Sequence, residues 1–273
     1  MGTSDRERVG PIGLFDSGIG GGTVLIHLQR LLPAEDLLYL ADQARCPYGP
    51  RPVAELRAIA AANTRWLLDR GAKLIVVACN TASAAALHWL RQSFPAIPFV
   101  GMVPAVKPAV QRTRSGVVGV LATPATIQGE LLHAVVAEWA GDVRIVGQAC
   151  PGLVERIEAG ALDSPATYAL LETYLRPLID AGADTIVLGC THYPYLAPQI
   201  QHIVGPDVTL LDAAPAVARQ AARVLNDCGL PHPHRDRVGT ITYATTAEPA
   251  DFAHLLSRFN LPPGTVVAAH LPL

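Results

Sequence analysis

The nine residues Gly71-Ala-Lys-Leu-Ile-Val-Val-Ala-Cys79 return as Gly182-Ala-Asp-Thr-Ile-Val-Leu-Gly-Cys190, at a constant offset of 111 positions. At the same offset Arg65, Leu67 and Asp69 meet Arg176, Leu178 and Asp180. A weaker echo sets Gly13-Leu-Phe-Asp-Ser17 against Gly119-Val-Leu-Ala-Thr123, at an offset of 106. The longer repeat reads as a helix end, a glycine that lets the chain turn, and a short apolar strand that stops at a cysteine. A strand apolar at every position suits a parallel sheet covered by helices on both faces. The repeat is far longer than a solenoid period, so it predicts two similar α/β halves rather than an array of small units. The alternative is chance likeness, since all helix–glycine–strand units share a pattern.

The rest of the chain has the same texture, short β-type runs alternating with helical patterns. Strands are expected near residues 10–15, 37–41, 74–78, 99–102, 117–121, 143–147, 185–188, 208–210 and 240–244. A helix is expected after Pro52, with Val53, Leu56, Ala60 and Leu67 near helical spacing. Others span about 165–181, closed by Ala181-Gly182, and 213–225, after the candidate N-cap Asp212. At about 150 residues per domain, 273 residues make roughly two. The expected fold class is α/β, with two pseudo-symmetric doubly wound parallel-sheet domains and the site in the cleft between them. Residues 1–100 together with 212–273 form the first domain and 101–211 the second.

Composition narrows the function classes. Half the residues are hydrophobic and only 16% are charged, so the chain is globular rather than disordered. A net charge of −2 provides no basic footprint for nucleic acid and no cationic face for a membrane. No apolar run reaches the roughly 18 residues of a transmembrane helix. The charged start Met1–Val9 lacks the apolar segment of a secretory signal. Five cysteines, scattered and without a C-x-x-C pair, point to reduced thiols and the cytoplasm.

Ligands of open α/β sheets bind off the carboxyl ends of the strands, where Cys79 and Cys190 both sit. Each is followed by small polar residues, Asn80-Thr81-Ala-Ser83 and Thr191-His192-Tyr193. A helix beginning just beyond each cysteine would favour a thiolate and hold a carboxylate with its free N–H groups. If the halves face each other, two sulfurs approach one substrate from opposite sides. That suits inversion at carbon, one thiolate removing a proton while the opposing thiol returns one. A single buried cysteine is more often inert packing. Two at matching strand ends favour chemistry.

The segment Gly13-Leu-Phe-Asp16-Ser17-Gly18-Ile-Gly20-Gly21 reads as strand, sharp turn and helix, and places the Asp16 carboxylate at the same edge as Cys79. Turn capping by Asp16 and Ser17 is the plainer role. The same stretch supports a weaker alternative, a dinucleotide site, with Gly18-x-Gly20 and Asp42 as the ribose-binding acid. That pattern wants glycine where Thr23 stands. His192 is the one histidine beside a candidate nucleophile, which favours function over core packing. His232-Pro-His234 lacks further ligands at metal-site spacing, so no metal is expected. Cys46 belongs to a loop near the site, and Cys150 and Cys228 are expected to be structural. Pyridoxal phosphate would need a Schiff-base lysine. The chain has only Lys73, at the amino end of a strand, and Lys107, so no cofactor is expected.

Five ordered motifs, Phe15-Asp-Ser-Gly-Ile-Gly-Gly21, Arg45-Cys-Pro-Tyr-Gly49, Ala78-Cys-Asn-Thr-Ala82, Ala149-Cys-Pro151 and Leu188-Gly-Cys-Thr-His-Tyr-Pro194, resemble the glutamate racemases of the aspartate/glutamate racemase superfamily. The resemblance covers residues 10–215 and extends to a compatible tail at 247–259. It implies that Cys79 works on D-glutamate, assisted by Asp16, and Cys190 on L-glutamate, assisted by His192. It implies substrate binding by Asp16, Ser17, Tyr48, Gly49, Asn80, Thr81, Thr126, Thr191 and His192, with Thr123 as a further contact. Glu158 matches the family's acidic residue, but the charged pair in Leu153-Val-Glu-Arg-Ile-Glu158 departs from the usual apolar pattern and keeps Glu155 in play. The implied role is supply of D-glutamate for peptidoglycan, with glutamate as the small-molecule partner and a homodimer as a common assembly. A racemase of aspartate or a related amino acid, a dinucleotide oxidoreductase and a non-catalytic binding protein are the alternatives.

Overall fold

Strands form where apolar runs end at glycine or a polar residue in the computed structural model of the chain, which describes residues 9–271. Residues 1–8, most of the charged start read above as lacking a secretory signal, lie outside the described residues. In order the chain forms β1 (Ile12–Asp16), α1 (Gly22–Leu31), β2 (Leu37–Ala41), α2 (Val53–Leu68), β3 (Leu74–Val77), α3 (Asn80–Ser93) and β4 (Phe99–Gly101). It continues through α4 (Val106–Arg112), β5 (Val117–Ala122), α5 (Pro124–Ile127), α6 (Glu130–Trp139), β6 (Arg144–Ala149), α7 (Leu153–Glu158) and α8 (Pro165–Asp180). The last elements are β7 (Thr185–Gly189), α9 (Ala197–Val204), β8 (Thr209–Asp212), α10 (Ala214–Asp227), β9 (Ile241–Thr245), α11 (Pro249–Arg258) and β10 (Thr265–Ala268). Among the described residues no helix is long and apolar enough to cross a membrane.

The chain divides into two compact units, Met1–Met102 with Ala214–Leu273, and Val103–Ala213. The first carries a six-stranded sheet in the order β10-β9-β2-β1-β3-β4, the second a four-stranded sheet in the order β6-β5-β7-β8. Every pairing is parallel. The order β2-β1-β3-β4 in one unit is therefore β6-β5-β7-β8 in the other, and the register agrees. Phe15 pairs with Val77, and Leu121, its repeat equivalent, pairs with Leu188.

Side-chain packing repeats as well. A Cβ on Gly13 would lie 3.1 Å from Ile75 Cδ1 and 3.3 Å from Leu67 Cδ1. One on Gly119 would lie 2.8 Å from Leu178 Cδ1 and 3.3 Å from Ile186 Cγ1. Leu67 and Ile75 become Leu178 and Ile186 under the offset of 111, so the same two neighbours fill the space left by the same missing side chain. The turn glycines match too, Gly71 at φ 80° and Gly182 at φ 79°. One repeat position diverges. Lys73 pairs with Glu35 at 2.5 Å, whereas Asp184 accepts hydrogen bonds from the Thr113 hydroxyl (2.6 Å) and the backbone N–H groups of Arg114 and Ser115 (2.7 and 2.8 Å). Opposite charges at one position each fasten a neighbouring segment to the amino end of a central strand.

Two features depart from the sequence reading. The expected strands end at residue 244, whereas the structure adds β10, a four-residue edge strand with mostly exposed residues that lacks the doubly covered pattern. Cys190 is not followed directly by an α-helix. A 3-10 turn over Tyr193–Leu196 precedes α9, since Pro194 and Pro198 each remove a backbone donor from the ladder.

Candidate active site

In the first unit β1 and β3 are adjacent and parallel, and the Ala78 N–H donates to the Phe15 carbonyl at 2.9 Å. Asp16 and Cys79 accordingly leave the sheet at the same edge. Asp16 is fully buried, and its Oδ2 accepts the Gly21 N–H at 2.7 Å. That contact needs glycine, because a Cβ on Gly21 would meet Tyr39 Cε2 at 2.7 Å and Asp16 Cβ at 2.9 Å. The Tyr39 hydroxyl donates to the Gly18 carbonyl, fixing the turn from the sheet side. Ser17 is buried beside it.

Cys79 is the N-cap of α3, with φ −138° and ψ 123°, and its carbonyl accepts the Ser83 N–H at 2.9 Å. Asn80, Thr81 and Ser83 in the first turn are buried. Asn80 is 2% exposed, and neither its Nδ2 nor its Oδ1 has a hydrogen-bond partner in the protein. A buried unpaired amide costs about 1–3 kcal/mol, and this one leaves both a donor and an acceptor open beside Cys79. Tyr48 packs in the same buried cluster as Cys79. Its hydroxyl donates to Asp42 Oδ2 at 2.6 Å and accepts from Asn63 Nδ2 at 3.1 Å. Burial, then the Asp42 carboxylate, pushes the Tyr48 phenol well above its ordinary pKa, so it stays protonated. Gly49 follows, half-buried.

In the second unit Cys190 leaves β7, and Thr191 and His192 are buried directly after it. Cys190 Sγ lies 3.8 Å from His192 Nδ1, and His192 Nε2 lies 2.6 Å from Glu158 Oε1. An ionised carboxylate only accepts, so Glu158 selects the tautomer with hydrogen on Nε2. The Nδ1 lone pair then faces the thiol as a base. Glu158 is the last residue of α7, which Gly160 terminates at φ 66°. Glu155 is exposed on that helix. The choice left open between the two acids thus has a geometric basis, with Glu158 alone bonded to His192 among these two.

Thr123 stands where Ser17 stands in the first unit, and Ala122 where Asp16 stands. Thr123 caps the short α5, its Oγ1 3.0 Å from Thr126 Oγ1 and 3.3 Å from the Thr126 N–H. Cys150 is buried and gives its S–H to the Gln148 carbonyl at 3.4 Å. Burial, then the nearby Cys190, pushes its thiol up to about 12, which keeps it inert at neutral pH. Cys228 is exposed, so the expectation of a structural cysteine fails there, because it closes the exposed last turn of α10 with Asn226 and Asp227.

Other expectations resolve on contacts. Asp42 spends its oxygens on Tyr48, on Arg45 (3.1 Å) and on the Thr246 hydroxyl (3.0 Å), leaving no role as a ribose acceptor. His232 Nδ1 sits 3.2 Å from the His234 N–H. Lys73 is buried on Glu35, and the Lys107 ammonium lies 3.5 Å from the centre of the Trp139 ring. The His192–Glu158 and Asp42–Tyr48 contacts were beyond sequence reasoning, since neither pair follows a fixed local spacing.

Residues 24–221 match the family model described as Asp/Glu/hydantoin racemase. A glutamate racemase of Roseiflexus sp. (strain RS-1) is 67% identical over 252 residues, covering 92% of this chain and 93% of that protein. Among solved structures, the glutamate racemase isoform RacE1 from Bacillus anthracis superposes with a TM-score of 0.89 at 32% identity, covering 97% of this chain and 99% of that one. The glutamate racemase of Francisella tularensis subsp. tularensis SCHU S4, solved in complex with D-glutamate, gives a TM-score of 0.84 at 28% identity, covering 96% and 98%.

Proposed function

The chain belongs to the glutamate racemases of the Asp/Glu/hydantoin racemase family, amino-acid isomerases that supply D-glutamate for peptidoglycan, and from that premise we propose that Cys79 and Cys190 perform the inversion as a pair of opposed acid–base groups. The observation that carries this reading is the repeated strand end with two unlike surroundings. Cys79 shares its sheet edge with the buried Asp16, and Cys190 faces the His192–Glu158 pair.

With D-glutamate, the Cys79 thiolate takes the α-hydrogen as a proton, and the Cys190 thiol delivers one to the opposite face. With L-glutamate the roles exchange. A free thiol near pKa about 8.5 is only a few per cent ionised at neutral pH, so each sulfur needs a base. Asp16 serves Cys79, and His192, oriented by Glu158, serves Cys190. Ser17, the Tyr48–Gly49 segment, Asn80, Thr81, Thr126 and Thr191 hold the two carboxylates and the amino group. The unpartnered carboxamide of Asn80 supports that role, offering one donor and one acceptor to a zwitterion. Donors fixed around the α-carboxylate stabilise the carbanion-like transition state.

Residues 1–100 with 212–273, and 101–211, serve as the two domains in this reading. A cytoplasmic location rests on the reduced thiols, and a homodimer on the family resemblance. Optical rotation of L- or D-glutamate with purified protein and no added cofactor tests the function. Replacing either cysteine, Cys79→Ser or Cys190→Ser, should cost at least about 10²-fold in racemisation. Wild-type rates in either variant would sink the two-cysteine mechanism. Inversion of aspartate faster than glutamate would move the substrate assignment.

A further inference from the structure

Asp42 is a fully buried carboxylate, remote from both cysteines in sequence, that gathers three separate pieces of its unit. Its backbone N–H donates to the Asp16 carbonyl at 2.9 Å, tying it to the last residue of β1. Its Oδ1 accepts from Thr246, just past β9, and from Arg45, in the 3-10 turn over Gln43–Arg45. Its Oδ2 accepts the Tyr48 hydroxyl at 2.6 Å. A phenol has one hydrogen to give, and Tyr48 gives it to Asp42 while receiving the Asn63 amide. The one hydrogen of the Tyr48 hydroxyl is therefore spent within the protein. Any hydrogen-bond donor that this segment offers a substrate carboxylate must come from the Tyr48–Gly49 main chain.

We propose that Asp42 is a positioning residue for substrate binding, which acts through the Tyr48 hydroxyl to hold the Tyr48–Gly49 backbone at the strand edge shared by Asp16 and Cys79. The inference rests on the racemase reading and deepens it. A carboxylate is suited to the task because it accepts from several donors at once, and burial makes each of those bonds stronger than in water. Asparagine at position 42 keeps the shape but presents one accepting oxygen to three donors. Phenylalanine at position 48 keeps the ring and removes the only group Asp42 holds there.

The experiment is a double-mutant cycle of Asp42→Asn, Tyr48→Phe and the pair, read by steady-state kinetics on both enantiomers of glutamate together with thermal melting. Each single change should raise KM about tenfold while kcat stays within about threefold, and the double variant should be no worse than the poorer single one. Lower melting temperatures with unchanged KM would overturn the proposal, because a purely structural role gives that result. Additive effects, or a wild-type KM in Tyr48→Phe, would overturn it as well. Should Asp42→Asn not fold, the KM of Tyr48→Phe decides alone. A wild-type protein inert on both enantiomers would instead defeat the racemase reading, so the two failures are distinguishable.

Discussion

His192 and Glu158 are joined by a 2.6 Å hydrogen bond although 34 residues separate them, and the far side of the same imidazole faces the Cys190 sulfur. The bond fixes which ring nitrogen is basic. Glu158→Gln replaces the pure acceptor with a group whose amide can donate to Nε2 and favour the opposite tautomer. We expect that change to lower kcat/KM for glutamate by roughly 10²-fold, the low end for a positioned acid–base system. Glu155→Gln, on the exposed side of α7, should leave it near wild type. The reverse ranking in a racemisation assay would reassign the assisting acid.

The two cysteines should differ in what their replacement leaves behind. In Cys79→Ser the Cys190 thiolate can still take the α-proton of L-glutamate, exchange it as the thiol with solvent D₂O, and return a deuteron to the same face. Incubation in D₂O should therefore exchange the L-enantiomer without inverting it. Cys190→Ser should do the same for the D-enantiomer. Proton NMR of the α-position reads both, and exchange of the opposite enantiomer in each variant would swap the assignments.

Asp184 carries a pH signature in the fold. Partial burial raises its pKa, but the Thr113 hydroxyl and the N–H groups of Arg114 and Ser115 outweigh this and hold it at about 2 against an ordinary 3.8. A depressed folded-state pKa means the charged form is favoured by folding, so the stabilisation is complete above the unfolded value and fades as pH falls toward the folded one. The urea midpoint of the wild type should exceed that of Asp184→Asn above about pH 4, and the gap should narrow as pH approaches 2. A gap independent of pH would remove the electrostatic explanation.

Gly13 and Gly119 should be equally intolerant of a side chain. A methyl group at either meets a neighbour at 2.9 Å or closer, Ala72 Cβ in the first unit and Leu178 Cδ1 in the second. Gly13→Ala and Gly119→Ala should each cost about 1–3 kcal/mol of stability, the range for overpacking a filled core. Denaturant titration checks this. A neutral effect at either would show that the helix above the strand moves aside freely.

Much of this molecule was legible because its chemistry lies at the ends of strands. Apolar runs such as Leu74–Val77 announce themselves, and a cysteine directly after one is placed at a sheet's carboxyl edge by the chain itself. Side chains that meet through tertiary folding were not legible. Asp42 found a place only as the ribose acceptor of the weaker dinucleotide alternative, since nothing local revealed that Tyr48, Arg45 and Thr246 would converge on it. β10 escaped because an exposed edge strand needs no apolar pattern on either face. The turn at Tyr193–Leu196 escaped because proline-bearing helix starts and 3-10 turns look alike in sequence.

The repeated cysteines have unlike neighbours, a carboxylate at one strand end and an imidazole at the other. That asymmetry cannot make the protein prefer one product. Mirror-image amino acids have equal free energies in water, so the equilibrium constant is one, and kcat/KM must be the same in both directions. What unlike neighbours can set is how each direction divides that shared ratio between turnover and saturation. The enantiomer with the lower KM must also have the proportionally lower kcat, and cellular flow toward one hand has to be drawn by whatever consumes it.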